Sequence, residues 1–455
     1  FDMLIQLLSA ALCAQAAYGI PDTYSAASST TWTDTYQGSK AATIFVDLSS
    51  DSQEDWIELS RLDLVGTVKE RGEAHGALLA ADIDEFLNVK LNQYFKDELL
   101  NLDISSLPEA LQAIVEPILK KGAEYAPDAF WAAMSWVWHK EEKYVPTEMI
   151  EEMEAVAFGV CTQISKDLKA VEFSSCREEY TRKIKHVNML PELIRMACTA
   201  FGAWGSATPD GNLIQLRALD FGGGPFANYT VLQVHRPEAP AQAFASLSFP
   251  GFVGVITGVS ERGIGISEKV WMTYDKRSIQ PGSYDGLADV LVIRSILENS
   301  VDRASAEQYL SSVNRTWSIW LGIGDYASQK FDLVGYKQSS TAVYSDETIG
   351  SETGQPYIPD VCYVDKHPQP SHATDLPAYL ESYHGSVTFA AVQDIVQKHE
   401  TGDLHYAAYD FAKREMIVAI GKVDEDGNYG EDGEVWQAHN RPAILFSLDD
   451  LWSGN

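Results

Sequence analysis

The hydrophobic pattern of this chain changes character once, near residue 198, and that change limits the folds open to it. Between Ala74 and about Gly159 apolar residues recur at helical spacing. Leu78, Ile83, Phe86, Leu87 and Leu91 form one such series; Met149, Ile150, Met153, Val156 and Ala157 form another. Ser106, just ahead of Pro108, and Thr147 are the expected N-caps. Beyond Cys198 the pattern shortens to alternating or apolar runs split by turns, at 213–219, 229–234, 244–249, 264–266, 318–323, 331–335 and 417–420. Helical stretches interrupt it at 285–300, 304–313, 376–383 and 389–398, and two strand-like segments, 42–48 and 56–65, precede the helices. No internal repeat and no long low-complexity linker separates the halves. The expectation is one α+β body, with a mostly helical portion over 1–197 and a strand-rich portion over 198–455.

Charge narrows the partners. The chain carries a net charge of -31 with no basic block, whereas nucleic-acid binding leaves a basic stripe; such partners are not expected. No apolar run approaches the ~18–20 residues that span a bilayer, so no integral membrane segment is expected. The run at 4–12 has the apolar texture of a signal-peptide core but no basic flank, and reads as an amphipathic helix of a mature chain. Two sequons, at Asn228 and Asn314, are candidate glycan acceptors and point to a secreted, lysosomal or vacuolar protein.

The five cysteines are Cys13, Cys161, Cys176, Cys198 and Cys362. None forms a CxxC pair or a Cys/His cluster with zinc spacing, so no metal site is expected. An odd count in a secreted chain suggests two disulfides and one thiol left over. If that thiol is Cys198, Cys161 and Cys176 close a local loop and Cys13 pairs with Cys362. The alternative is five reduced core cysteines.

Cys198 stands out by what surrounds it. The sequence 207–211, Ala-Thr-Pro-Asp-Gly, is a tight-turn signature, and the strands on either side of it fold into a hairpin. Pairing about that turn, at residue numbers summing to roughly 420, sets Asp220 across from about Ala200 and Arg217 across from Ala203 or Trp204. A thiol, a guanidinium and a carboxylate thus come from one ribbon, and a nearby cation favours the reactive thiolate. The sequence has no histidine between His186 and His235 to serve as a base. Breaking the bond between Ala197 and Cys198 supplies another: the new α-amine, whose ordinary pKa of about 7.7–8.0 suits proton transfer.

Cys198-Thr199, Gly211 and Arg217-Ala218-Leu219-Asp220 resemble the nucleophile segment of N-terminal-nucleophile hydrolases with an N-terminal cysteine. These are the acid ceramidase, N-acylethanolamine-hydrolysing acid amidase, bile-salt hydrolase, penicillin acyltransferase and phospholipase B-like group. Residues 70–87, 146–160, 249–269 and 401–420 are similar to other segments of that group in the same order, with the texture nearest its ceramidase-like and phospholipase-B-like members. The resemblance implies a four-layer αββα sandwich and self-cleavage between Ala197 and Cys198. The two resulting fragments would stay associated. Cys198 would form a thioester with a lipid-like acyl substrate, with Arg217 and Asp220 holding the α-amine and substrate; no cofactor is implied.

This chain departs from the group's pattern in two places. A Gly-Met-Asn-Glu run is replaced by Gly258-Val259-Ser260-Glu261, and a Thr-Asn-His-like segment by Val364-Asp365-Lys366-His367. Lys366, His367, Glu268 and Trp204 are therefore carried as candidates for the oxyanion or substrate contacts. An amidohydrolase of the ceramidase or N-acylethanolamine type is the leading expectation. Phospholipase B-like ester hydrolysis or acyl transfer is the first alternative, and an uncleaved glycoprotein with a binding or structural role is the second.

Overall fold

Strand-forming runs after Cys198 and a few before it assemble into two sheets, seen in a computed structural model. It describes residues 24–26, 29–47, 56–99, 107–164, 170–194, 197–221, 224–272, 284–423 and 437–454. The early strands are β1 (Tyr24–Ala26), β2 (Ser29–Tyr36), β3 (Ser39–Asp47) and β4 (Trp56–Gly66). Next come β5 (Ala197–Ala203), β6 (Ile214–Asp220), β7 (Val231–Pro237), β8 (Phe244–Ser248), β9 (Thr257–Ser260) and β10 (Ile264–Val270). Then follow β11 (Ser318–Asp325), β12 (Lys330–Lys337), β13 (Ser340–Tyr344) and β14 (Val361–Val364). The last are β15 (His405–Asp410), β16 (Glu415–Ile420) and β17 (Ala443–Ser447). One sheet has seven strands, in the order β1-β17-β16-β15-β6-β5-β14. The other has ten, in the order β13-β12-β11-β10-β9-β8-β7-β4-β3-β2.

Three apolar cores define the layers. Ala200, Ala407 and Val418 of the smaller sheet meet Leu232, Leu247, Val259, Trp320 and Leu333 of the larger one, so the sheets pack face to face. The outer face of the smaller sheet, through Phe201, Leu216 and Ile417, packs on the helices Asp375–Ser382 and Phe389–Lys398. Beyond the larger sheet, Leu62, Ile266 and Leu321 pack on a thicker helical layer that includes Ala126–Glu141, Thr147–Ile164 and Asp289–Asn299. The chain is an α+β protein of four layers, αββα. β1 lies parallel on β17 and β4 parallel on β7, so residues before 197 contribute strands to both sheets.

Glycine decides how the helical layer closes. Helices Val68–Leu78 and Thr147–Ile164 cross with backbone against backbone. A Cβ on Gly76 would stand 1.9 Å from Val156 O, and one on Gly159 would stand 2.2 Å from Glu73 O. His75, between Gly72 and Gly76, is fully buried and accepts from the Gly251 amide at 3.1 Å, a structural role. Ile83, Phe86, Leu87 and Leu91 are fully buried as their spacing requires. That run is not one uniform helix, because a turn of π-helix occupies Phe86–Lys90.

The cysteines divide differently from the expected pairing. Cys161 and Cys176 are bridged, tying helix Thr147–Ile164 to helix Ala170–Val187. Cys362 is a free buried thiol on β14, packed between the sheets and directed at Tyr344 O (3.7 Å), so the bridge to Cys13 is not formed. Its side chain belongs to the inter-sheet core. Cys13, Ser106 and the amphipathic run at 4–12 lie outside the described residues.

Candidate active site

The site is built on the β5–β6 hairpin, in a register that differs from the expected one. Ala197 faces Asp220, Cys198 faces Leu219, and Ala200 faces Arg217. The expected pairing is three residues out because the connection over 204–213 is not symmetric about Asp210 and Gly211. A 3-10 turn at Gly205–Ala207, closed by the Ala207 amide on Trp204 O (2.9 Å), with the wider loop closed by the Gly205 amide on Gly211 O (3.0 Å), moves the centre of the hairpin to Thr208 and Pro209. The shift brings Arg217 towards the thiol. Cys198 and Ala200 share a face, so the residue opposite Ala200 reaches Cys198 diagonally.

Arg217 is fully buried and all its contacts converge on the site. Nη2 donates to Cys198 Sγ at 3.4 Å and to Glu268 Oε2 at 3.2 Å. Nε donates to Glu268 O at 3.3 Å, and Nη1 lies 3.1 Å from His405 Nε2. Because Glu268 is on β10, this guanidinium spans the two sheets. Burial pushes the Glu268 carboxyl up, against the pull of Arg217. Glu268 Oε1 has no hydrogen-bond partner among the described residues.

Asp220 ends β6 directly across from Ala197, the residue before the thiol. Its Oδ2 accepts from Thr401 Oγ1 at 2.6 Å and its Oδ1 from the Gly402 amide at 2.7 Å. Thr401 Oγ1 also stands 2.8 Å from Thr199 Oγ1, which fixes the carboxylate to both strands. Burial raises Asp220 to about 7, opposed by those two hydrogen bonds. The Cys198 thiol is fully buried and pushed up to about 12. Burial is the main cause; Glu268 and Asp220 add to it, while Arg217 and Lys269 oppose it.

His405 and Lys269 are buried at this site and were not among the sequence candidates. His405 enters on β15, which pairs with β6 and sets His405 opposite Leu219, in the same row as Cys198. Lys269 is fully buried on β10, its Nζ donating to Val270 O (3.1 Å), His367 O (3.4 Å) and Gln369 Oε1 (3.4 Å). Burial lowers its pKa, while Cys198, Asp365 and Glu268 oppose that fall. A charge pair inside "GISEKVW", an otherwise apolar strand, was the available signal, since Lys and Glu are almost never fully buried without partners.

The remaining candidates sit elsewhere or are engaged. Lys366 donates to Glu400 O at 2.5 Å, and the His367 ring pairs with Asp365 Oδ2 at 3.3 Å. Trp204 is six residues beyond Cys198 along β5, roughly 20 Å at strand rise, buried between the sheets under Lys330. It does not meet the thiol. Asn228 is exposed and exchanges two hydrogen bonds of 3.1 Å with Val423, while Asn314 is exposed at the end of a helix–strand connection. Among the described residues no His/Cys/Asp/Glu group has metal-binding spacing, and no helix is long and apolar enough to cross a membrane.

Fold and site together define an αββα sandwich with a thiol buried between its sheets, held by an arginine and placed one residue beyond a peptide bond that a carboxylate faces. No protein-family model matches the chain. It is 29% identical to "Protein dcd1A" of Dictyostelium discoideum over 381 residues, 79% of this chain and 78% of that protein. It is likewise 29% identical to "Protein dcd1B" of the same organism over 418 residues, covering 88% and 76%. Among solved structures, a Caenorhabditis elegans ortholog of N-acylethanolamine-hydrolyzing acid amidase superposes with a TM-score of 0.36 at 14% identity. That overlap covers 47% of this chain and 93% of that one, and it is too shallow to bear on activity.

Proposed function

We propose that this protein is a cysteine amidohydrolase, latent in the intact chain and activated by breaking its own bond between Ala197 and Cys198. The observation that carries the reading is the Cys198 Sγ–Arg217 Nη2 contact of 3.4 Å, on a strand whose preceding residue faces Asp220. In the intact chain the thiol is a weak nucleophile, pushed up to about 12 by burial. Its slow attack on the Ala197 carbonyl moves the acyl group from nitrogen to sulfur, the thiol proton going to the freed α-amine; water then releases the Ala197 carboxylate and the thiol. Cleavage places an α-amine on the same residue, beside Asp220, where it takes the thiol proton without a histidine. The thiolate then attacks an acyl carbonyl, forming the S–C bond of a thioester. The amine leaves with the proton from the α-ammonium, and water returns the acid and the free thiol. Arg217 pairs the sulfur's negative charge in the free thiolate, before attack and as the thioester breaks down.

The substrate class is part of the same reading. Cys198 adjoins the large apolar core that also holds Phe221, Phe226 and Phe249, which supports a lipid-like N-acyl chain over a charged one. The Cys161–Cys176 bridge supports an oxidising compartment, secreted or lysosomal, and the two fragments would stay joined through their shared sheets. The rival reading, an intact chain with a binding role, draws on the depth at which the thiol is buried.

Intact-mass measurement after incubation at acid pH separates the two. Fragments of 197 and 258 residues, with hydrolysis of an N-acyl aminocoumarin, are expected from the wild type. Cys198→Ala should show neither. A wild-type chain that stays whole would end the proposal.

A further inference from the structure

His405 is buried without exposure, and its Nε2 lies 3.1 Å from Arg217 Nη1 and 3.1 Å from Thr257 Oγ1. A guanidinium has no acceptor capacity, so at the Arg217 contact the imidazole nitrogen must be the lone-pair side. The ring proton is then on Nδ1, which has no hydrogen-bond partner among the described residues. Such a ring is an acceptor towards Arg217 only while neutral. Burial, reinforced by the Arg217 charge, keeps it so by holding its pKa well below the ordinary histidine value.

Arg217 has three directions to satisfy. Glu268 takes Nε through its backbone carbonyl and Nη2 through its carboxylate, and the thiol takes Nη2, so Nη1 is the corner that neither of them holds. That remaining corner is where His405 sits, on the neighbouring strand and opposite Leu219. Thr257 comes from β9 of the other sheet and meets the same ring nitrogen, Nε2, as Arg217 does. The carboxylate alone would pull the guanidinium towards β10 and away from the sulfur. The imidazole draws it back to the sheet that carries Cys198.

We infer that His405 is a positioning residue, a fixed neutral acceptor that aims the Arg217 guanidinium at the Cys198 sulfur. It touches neither substrate nor thiol, and its requirement is for a lone pair at the Nε2 position rather than for a titrating base. This rests on the proposed role of Cys198. Thr257 on the other sheet shares the Nε2 position, which ties the thiol's partner to how the two sheets are apposed.

The test uses the purified full-length precursor and follows cleavage between Ala197 and Cys198 by intact mass, which needs no knowledge of the substrate. His405→Leu removes the acceptor at similar volume and should slow cleavage roughly 10- to 100-fold, the range that losing one hydrogen bond to a charged group produces. His405→Gln keeps an acceptor and should stay within about threefold of wild type. Hydrolysis of N-lauroyl aminocoumarin by the mature protein should show the same split, with kcat reduced and KM little changed. Wild-type rates in His405→Leu, with Cys198→Ala inert, would overturn the positioning role and leave the thiol reading standing. A folded His405→Gln that loses cleavage would also overturn it, and this arm still decides if the leucine variant does not fold. If Cys198→Ala cleaves as well as wild type, the thiol reading itself fails and His405 goes with it.

Discussion

Arg217 and Glu268 form an ion pair with 0% and 2% of their side chains exposed, and nothing but protein screens it. For such a pair, removing one member is worse than removing both, because a lone buried charge is left without compensation. Arg217→Leu should therefore destabilise by about 3–5 kcal/mol, and the double change Arg217→Leu with Glu268→Leu by clearly less than the two single changes summed. Denaturant unfolding of the four proteins checks this, and strict additivity would show that the two side chains do not interact as drawn. At this scale the sequence was a good guide to what is local in the chain. Cys198, Arg217 and Asp220 lie within one hairpin, and their identities are legible from the turn and the Arg-x-x-Asp run. His405 was out of reach because it is 188 residues from Arg217, and only the pairing of β15 with β6 joins them. Lys366 sits between the two cases: its ammonium donates to Glu400 O, and its charge also acts on Asp220.

Among the elements, the crossing of Val68–Leu78 with Thr147–Ile164 is the most demanding contact in the helical layer. The Cβ of an alanine at position 76 would meet Val156 O at 1.9 Å and Val160 N at 2.8 Å, both backbone atoms that cannot turn aside. Gly76→Ala should lower stability by at least the 1–3 kcal/mol typical of overpacking, although alanine is the better helix former by roughly 1 kcal/mol. Glu151→Ala, on the exposed side of the second helix, should change it by about 0.5 kcal/mol or less. Thermal unfolding of both variants is the measurement; a neutral Gly76→Ala would mean that the helices separate without loss. Helices and strands were legible from periodicity, since β3, β4, β6, β7, β8, β10, β11 and β16 all overlap runs expected from the pattern alone. The hairpin register was not. It depends on how many residues the Gly205–Ala207 turn takes up, and turn residues report that a bend exists, not how many positions it spans.

Across the whole molecule, folding traps two opposed sets of titrating groups, and together they set where the protein is most stable. Asp220 rises from 3.8 to about 7, and Glu141, Glu192 and Asp289 rise as well, each chiefly through burial. A carboxyl raised on folding binds its proton more tightly in the native state, so its stabilisation is present at low pH and is lost as pH rises through the folded value. His75, His186 and His439 fall from 6.5 to about 4, and His235 and His405 fall well below 6.5, again through burial. A histidine held neutral has the opposite sign: unfolding lets it take up a proton, so stability is lost as pH falls below about 6.5. Between roughly pH 4.5 and 6.5 the two slopes oppose one another. Above that window only the carboxyls act and stability declines towards pH 8; below it only the histidines act and stability declines towards pH 4. Each uncompensated proton contributes about 1.4 kcal/mol per pH unit. The melting temperature of the Cys198→Ala precursor, which the proposed mechanism leaves uncleaved at every pH, should therefore peak between pH 5 and 6.5 and fall on both sides. A maximum at pH 8 would mean that Asp220 and the carboxyls around Glu192 are ionised in the native state. The weakly acid optimum that burial predicts would then have no basis.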